Sequence, residues 1–554
     1  MKTNTNVLLA IAVVSLFAVS AQTAAAQSAG LPAVQVKAAF SEQRAAMLRI
    51  PERNRRLLSA GAQNFLALVE VRSALAGTDI LGMSTSTIVS NPGQDTQSVM
   101  TGFVQSETST ARCGNQVVIG FNDSNSLIES ALAGGGGLSF NGYAVSTNGG
   151  TSYTDKKFLN PGPATFALAG DPVVRCASST VFLQSSLLED SSGNSDISVS
   201  TSTNGGVTYA APVVAASKSS STHFLDKDWM AIDPSNPSNV YVTYSDFDNS
   251  GACGPFMRIG IEVVKSSNGG VTWSAPVKVF DACDGLTFFT GSQVVVGSTG
   301  TVYVAAEKFD DSVTSGSDES FVTASSTNGG STFTAGGSIP VNCMGAGATS
   351  GAVFSCIAKL QGGFRNNDFP SLAVDRSNGT LYITWNDGTN RVSDSWNAPN
   401  VGFYNYGDIE ITKSTDGGVT WSAHVKVNQN TNEPLTNGRG LDQFQPGVAV
   451  DKTGRVEVCY YDRRLDGTMP FPKQNLLFAR FCSQSSDGGA TWADTEIAGN
   501  STPIHTNDIS VATTYLGDYD DLAADFTLVN SGFNGGYETI STRGDPDVKS
   551  EKIP

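Results

Sequence analysis

From about residue 85 to its end the chain is written in short runs of Val, Ile, Tyr, Phe and Thr, each broken by Gly, Asn, Asp or Ser. That texture predicts β-strands joined by tight turns. The preceding stretch is different. Residues 33–76 are rich in Ala, Leu, Arg and Gln, with apolar positions at helical spacing, which predicts helix. Pro51 separates two helices there or starts the second, and Gly77 ends the pattern. The pattern divides the chain into a helical arm over 27–80 and an all-β body over 85–554.

The β region repeats itself. An eight-residue motif, Ser-x-Asn/Asp-Gly-Gly-x-Ser/Thr-aromatic, runs from Ser146 to Tyr153, Ser202 to Tyr209, Ser266 to Trp273, Ser326 to Phe333, Ser414 to Trp421 and Ser485 to Trp492. Asn/Asp-Gly supplies the positive-φ residues of a tight hairpin. The side chains of Asn148, Asn204, Asn268, Asn328, Asp416 and Asp487 are placed to accept hydrogen bonds from the turn's own amides. The closing aromatic is expected to bury its ring between sheets.

Each motif follows a strand–turn–strand unit, such as 115–123, 171–184, 228–246, 292–307, 368–387 and 444–462. A seventh unit, at 518–525 with 537–543, has no motif after it. One four-stranded sheet per repeat makes a β-propeller, with seven blades favoured and six the alternative. An N-terminal strand, 85–90 or 97–103, would complete the last sheet and remove its free edge.

The 554 residues carry a formal charge of −17, split between about +4 over 1–80 and −21 over the rest. So acidic a body would repel a phosphate backbone, so no nucleic-acid partner is expected. Lys2, the apolar run 7–19 and the small residues Ala24–Ala26 read as a signal peptide over 1–26, with cleavage after Ala21 the alternative. The run is too short for a comfortable membrane span. The expected product is an exported protein, periplasmic or extracellular, soluble after cleavage and monomeric.

Eight cysteines in an exported chain predict disulfides. The repeat register puts Cys113 beside Cys176, Cys253 beside Cys283, Cys343 beside Cys356 and Cys459 beside Cys482.

The six motifs resemble the Asp-boxes, or bacterial neuraminidase repeats, of the sialidase superfamily. The resemblance spans about 85–554. It implies a propeller whose boxes face away from the ligand site. An active member would hold a substrate carboxylate with three arginines and use a Tyr–Glu nucleophile pair and an Asp acid/base; bidentate guanidinium suits a carboxylate. On this chain the arginine candidates are Arg365, Arg391, Arg439, Arg463 and Arg543. Tyr519 with Glu433, and Asp518, are the catalytic candidates. Arg49-Ile50-Pro51 matches part of the family's first arginine motif but lies in the helical arm, where a helix boundary also explains it. Salt bridges tying blades together are the competing reading of Tyr461–Arg464 and the Arg543 loop. Two functions follow: a non-catalytic propeller that binds glycans, surface polymers or proteins opposite the boxes, or an exo-sialidase-type glycoside hydrolase.

Asp246, Asp248 and Ser250 ahead of Gly251 match the first half of a calcium loop. Met257 stands where an EF-hand needs Glu. No cofactor is required by this reading, and a structural calcium is the one metal it suggests. Three histidines make a His-rich zinc site improbable.

Overall fold

A computed structural model describes residues 41–59, 62–63, 87–90, 96–97, 100–101, 104–134, 136–314, 316–347, 353–354, 358–360, 365–393, 403–430, 441–465, 477–501, 516–525, 533–540 and 546–553. The body is a seven-bladed β-propeller of mainly antiparallel four-stranded sheets, with a small helical region before it. Blade 1 contains Gln105–Cys113, Gln116–Asp123, Asn141–Ser146 and Thr154–Phe158. Blade 2 is built on Val173–Cys176, Phe182–Asp190, Asn194–Ser202 and Val213–Ser219. Blades 3 to 6 repeat this order, their innermost strands being His223–Ile232, Thr287–Val296, Ser371–Val374 and Gln443–Val450.

Blade 7 takes three strands from the C-terminus, Leu522–Ala524, Phe533–Ile540 and Pro546–Ile553, and its fourth from the N-terminal side. Thr87 pairs with Ser550 and Ile88 with Lys549. The first of the two candidate segments therefore closes the ring. Within the second, Met100–Thr101 pairs with Thr96–Gln97 instead.

Stacking of the blades explains the sequence texture. Second strands such as Val456–Asp462 are buried on both faces, so their apolar runs do not alternate. Fourth strands such as Thr154–Phe158 lie at the rim and are largely polar, with no buried residue in this one. One helix, Ser124–Ala133, has no counterpart in the other blades among the described residues. Asp123 caps it, accepting from the Asn125 N–H at 3.0 Å and the Ser126 hydroxyl at 2.6 Å.

The six Gly-Gly turns share one geometry. The Ser146 hydroxyl donates to Asn148 Oδ1 at 2.8 Å and accepts from the Gly150 N–H at 2.9 Å. The same pair of bonds recurs from Ser202, Ser266, Ser326, Ser414 and Ser485. The aromatics are less buried than the pattern implies: Tyr209 is buried, but Tyr153, Trp273, Phe333, Trp421 and Trp492 are only half-buried. These turns pack against the preceding blade, Gly206 over Val118 and Gly270 over Leu183.

Both glycines of each turn have positive φ, but they are not equivalent. At Gly206 (φ +82°) an added Cβ would lie 2.3 Å from Val118 Cγ2, whereas at Gly269 (φ +71°) it would meet open space. Gly206→Ala should therefore destabilise the fold by about 2–4 kcal/mol and Gly269→Ala by about 1 kcal/mol. Urea unfolding of the two variants measures this; equal losses would refute the packing argument.

Helix Ser41–Arg49 and the short helix Glu52–Arg55 lie against the propeller, with Pro51 as N-cap of the second. Met47, Ile50, Leu57 and Leu58 join the apolar cluster of blades 2 to 4. No helix among the described residues is long and apolar enough to cross a membrane.

Candidate functional site

The turns define one face of the propeller, because Gly149, Gly205 and Gly269 donate to the carbonyls of Asn115, Thr180 and Ser238 in the first hairpins of their blades. A cavity of about 680 Å³ opens on that face. Its walls are the apolar ends of the innermost strands, including Val294, Val296, Val374 and Val450. Its rim guanidiniums are engaged: Arg175 with Asp521 at 2.6 Å and Arg112 with Asn534 at 2.6 Å. At the opposite mouth, the candidate site, polar side chains from several blades converge.

The mouth is made by a bulge at the start of the innermost strands. Pairing skips between Ser106 and Ser109, Asp226 and Trp229, Thr290 and Gln293, and Phe444 and Gly447. The first bulged residue takes a left-handed conformation in each: Glu107 (φ 54°), Lys227 (φ 53°), Gly291 (φ 58°) and Gln445 (φ 49°). Asp171 (φ 54°) takes the equivalent place in blade 2. Strain at a non-glycine residue costs about 1–3 kcal/mol and collects at functional sites; here four such residues stand in one ring. Phe369 and Tyr519 occupy the corresponding positions of blades 5 and 7.

Contacts tie the ring together. Lys227 Nζ lies 3.5 Å from the centre of the Phe369 ring and 3.6 Å from Asp518 Oδ2. Asp518 also meets Arg365 Nη2 at 3.5 Å. Glu107 accepts from Asn122 Nδ2 at 2.7 Å and from the Asp518 N–H at 3.1 Å. Gly291 is needed for close approach, since a Cβ there would lie 2.2 Å from Phe369 and 2.9 Å from Glu307 Oε2. Below the ring, Trp229 packs edge-on against Tyr519 at 5.3 Å.

Lys227 Nζ, Asp226 Oδ1 and both oxygens of Glu307 are buried and make no hydrogen bond to the described residues. Burial pushes the Asp171 carboxyl up to about 8, reinforced by Asp226 and Asp518. Glu307 is also pushed up to about 8 by burial, against the pull of Lys227. Burial raises Asp226, Asp228, Glu319 and Asp368 too. Burial thus favours the protonated form of all these carboxyls.

The site candidates read from sequence distribute as follows. Arg365 and Asp518 come together in the mouth. Tyr519 lines it, but its hydroxyl donates to Pro172 O at 3.1 Å. Arg463 is fully buried and pairs with Asp442 at 3.4 Å, within blade 6. Arg391 lies on the strand Leu381–Ser393. Glu433, Arg439 and Arg543 fall outside the described residues, as does Cys356. Arg49 donates to Ser220 O at 2.6 Å, in the turn that joins blade 2 to blade 3.

Asp246 and Asp248 sit on a continuous strand, Val240–Cys253. Asp246 meets Lys218 at 2.6 Å, Arg258 at 2.8 Å and His223 Nδ1 at 2.9 Å. Burial pushes this carboxyl up, but His223 and Lys218 outweigh it and hold it at about 2. Lys218 and Arg258 neutralise Asp246 as folded, while His223, Asp246 and Asp248 form one cluster of metal-ligand type. The other cluster of metal-ligand type, Glu457 with Cys459 and Cys482, has its sulfurs in a disulfide. Disulfides also join Cys113 to Cys176 and Cys253 to Cys283, and Cys343 is disulfide-bonded.

No protein-family model matches the chain, and no curated protein matches it in sequence. Among solved structures it is similar to the Hadza microbial sialidase Hz136 at 14% identity and a TM-score of 0.41, over 74% of this chain and 73% of that one. A Trypanosoma rangeli sialidase bound to the inhibitor DANA gives 11% and 0.36, over 72% and 56%. An ulvan lyase of polysaccharide lyase family PL25 gives 9% and 0.44, over 82% and 94%. Likenesses this small carry nothing about chemistry.

Proposed function

We propose that the chain is an exported propeller of sialidase-like, Asp-box type that binds glycans or surface polymers through the mouth opposite its Gly-Gly turns. What carries the reading is the ring of strained, buried polar residues, Glu107, Asp171, Lys227 and Gln445, which Phe369 and Tyr519 complete at the same positions of blades 5 and 7. Sugars need both kinds of group: hydroxyls bond to carboxylates and amides, while their C–H faces pack on aromatic rings. The test is a glycan array followed by calorimetry, using the full chain and the chain cut between the arm and the propeller. Lys227→Met and Glu307→Gln should each weaken binding at least about tenfold, and Thr420→Ala on the turn face should not. Loss in all three, or in none, would sink the assignment of this face.

A glycoside hydrolase of exo-sialidase type is the second reading. It is supported by the proximity of Asp518 to Arg365 and by Asp171 and Glu307 retaining protons near neutral pH, as a general acid must. Turnover of a fluorogenic sialoside that Asp518→Asn and Tyr519→Phe abolish would favour it over pure binding.

A further inference from the structure

The arm meets the mouth through its backbone. The peptide group joining Leu58 to Ser59 is gripped on both polar atoms. Arg365 Nη1 donates to Leu58 O at 2.7 Å, and the Ser59 N–H donates to Asp226 Oδ2 at 2.7 Å. The neighbouring Leu57 carbonyl accepts from Thr290 Oγ1 at 3.4 Å. Leu57, Leu58, Ser59 and Ala62 are all buried. The gripping groups come from three places in the chain: Asp226 from blade 3, Thr290 from blade 4, and Arg365 from the segment before blade 5.

These are mouth residues. Arg365 turns its other terminal nitrogen to Asp518, and Asp226 precedes the ring residue Lys227. A helix packed only for stability would bury its apolar side chains and leave such groups to water. Here a charged donor and a charged acceptor converge on one buried amide of a turn that the arm itself braces, Gln63 Nε2 also donating to Leu58 O at 3.2 Å. Arginines fasten the flank: Arg53 donates to Gly285 O at 3.2 Å, and Arg56 meets Asp311 at 2.9 Å and Asp318 at 3.5 Å while lying 5.0 Å over the Phe309 ring. The basic arm thus lies on acidic loops of the mouth.

We infer that the mouth contains a subsite for a peptide amide, and that the arm fills it in cis with Leu58–Ser59, holding the site closed until the arm is cut or displaced. The inference rests on the reading of the mouth as a ligand site. Tethering gives the arm a high effective concentration, which cutting removes.

The experiment uses the full chain with a protease recognition sequence inserted within residues 64–86, so that Thr87–Ile88 stays with the propeller after cutting. A fluorescent peptide of residues 41–63 is then added to the cut, separated body and followed by polarisation. Saturable binding is expected. N-methylation at Ser59, which removes the donor to Asp226, should weaken it at least about tenfold. N-methylation at Glu52, whose N–H begins a helix, should not. Arg365→Met in the body should act like the Ser59 modification, and the peptide comparison needs no altered protein. No binding of the unmodified peptide, or equal binding of the two methylated ones, overturns the inference. The glycan screen on the same cut protein reads separately: specific peptide binding without any glycan binding would remove the glycan reading and leave this one standing.

Discussion

Arg480→Met is expected to destabilise the propeller by about 3–5 kcal/mol, the range for removing one partner of a buried ion pair. The guanidinium is 1% exposed and bonds Glu551 with two nitrogens, at 3.0 and 3.2 Å. A third nitrogen lies 3.7 Å from Asp520. The group also packs on the rings of Tyr461 and Tyr537, 4.9 and 5.8 Å from their centres. Tyr461 in turn donates to Asp520 at 2.6 Å. One side chain of blade 6 therefore binds two strands of blade 7, the sheet in which the two ends of the propeller meet. Methionine would fill much of the volume but leave the Glu551 and Asp520 carboxyls buried without their cation. The double variant Arg480→Met/Glu551→Gln should recover part of the loss, and urea unfolding of the set measures the coupling. A loss under about 1 kcal/mol would mean that water reaches this pair and that closure rests on the strands alone.

Stability should be greatest near about pH 4–5 and fall steadily towards pH 8. Asp171 and Glu307 are each raised to about 8 by burial, and Asp226, Asp228, Glu319 and Asp368 move the same way. In the unfolded chain such groups ionise near about 4. Between those values the folded protein holds protons that the unfolded chain has released, so raising the pH favours unfolding. Asp171 and Glu307 each contribute about 1.4 kcal/mol per pH unit between about pH 4 and 8. Asp246, held at about 2, works in the opposite sense: its contribution is complete above about pH 4 and is lost as the pH falls through 2. Denaturant midpoints at several pH values give the slope directly. Stability that rises between about pH 5 and 7 would show that the mouth carboxyls ionise freely, as they would if the ring were open to water.

The sequence by itself determined the architecture. Six Ser-x-Asn/Asp-Gly-Gly turns at regular spacing can be read locally, since each needs only its own glycines, hydroxyl and carboxamide to form. Seven inner-strand units favoured seven blades over six, and a fourth strand for blade 7 was expected from 85–90 or 97–103; the fold chose the first, at Thr87–Ile88. Pro51 marked the helix start for an equally local reason.

The site was decided by the tertiary structure. Glu107, Asp171, Lys227 and Gln445 look like ordinary polar residues at strand starts, and their left-handed backbone follows from bulges that only cross-strand pairing creates. A trace of them was present in the prolines that follow the ring position in three blades, Pro172, Pro370 and Pro446. Arg463 and Arg365 are alike in sequence terms, each in a loop near acidic residues. Arg463 is enclosed with Asp442, while Arg365 reaches the arm and Asp518. Which carboxylate a guanidinium meets depends on residues far away in the chain, and closing the ring of blades is what brings them within reach.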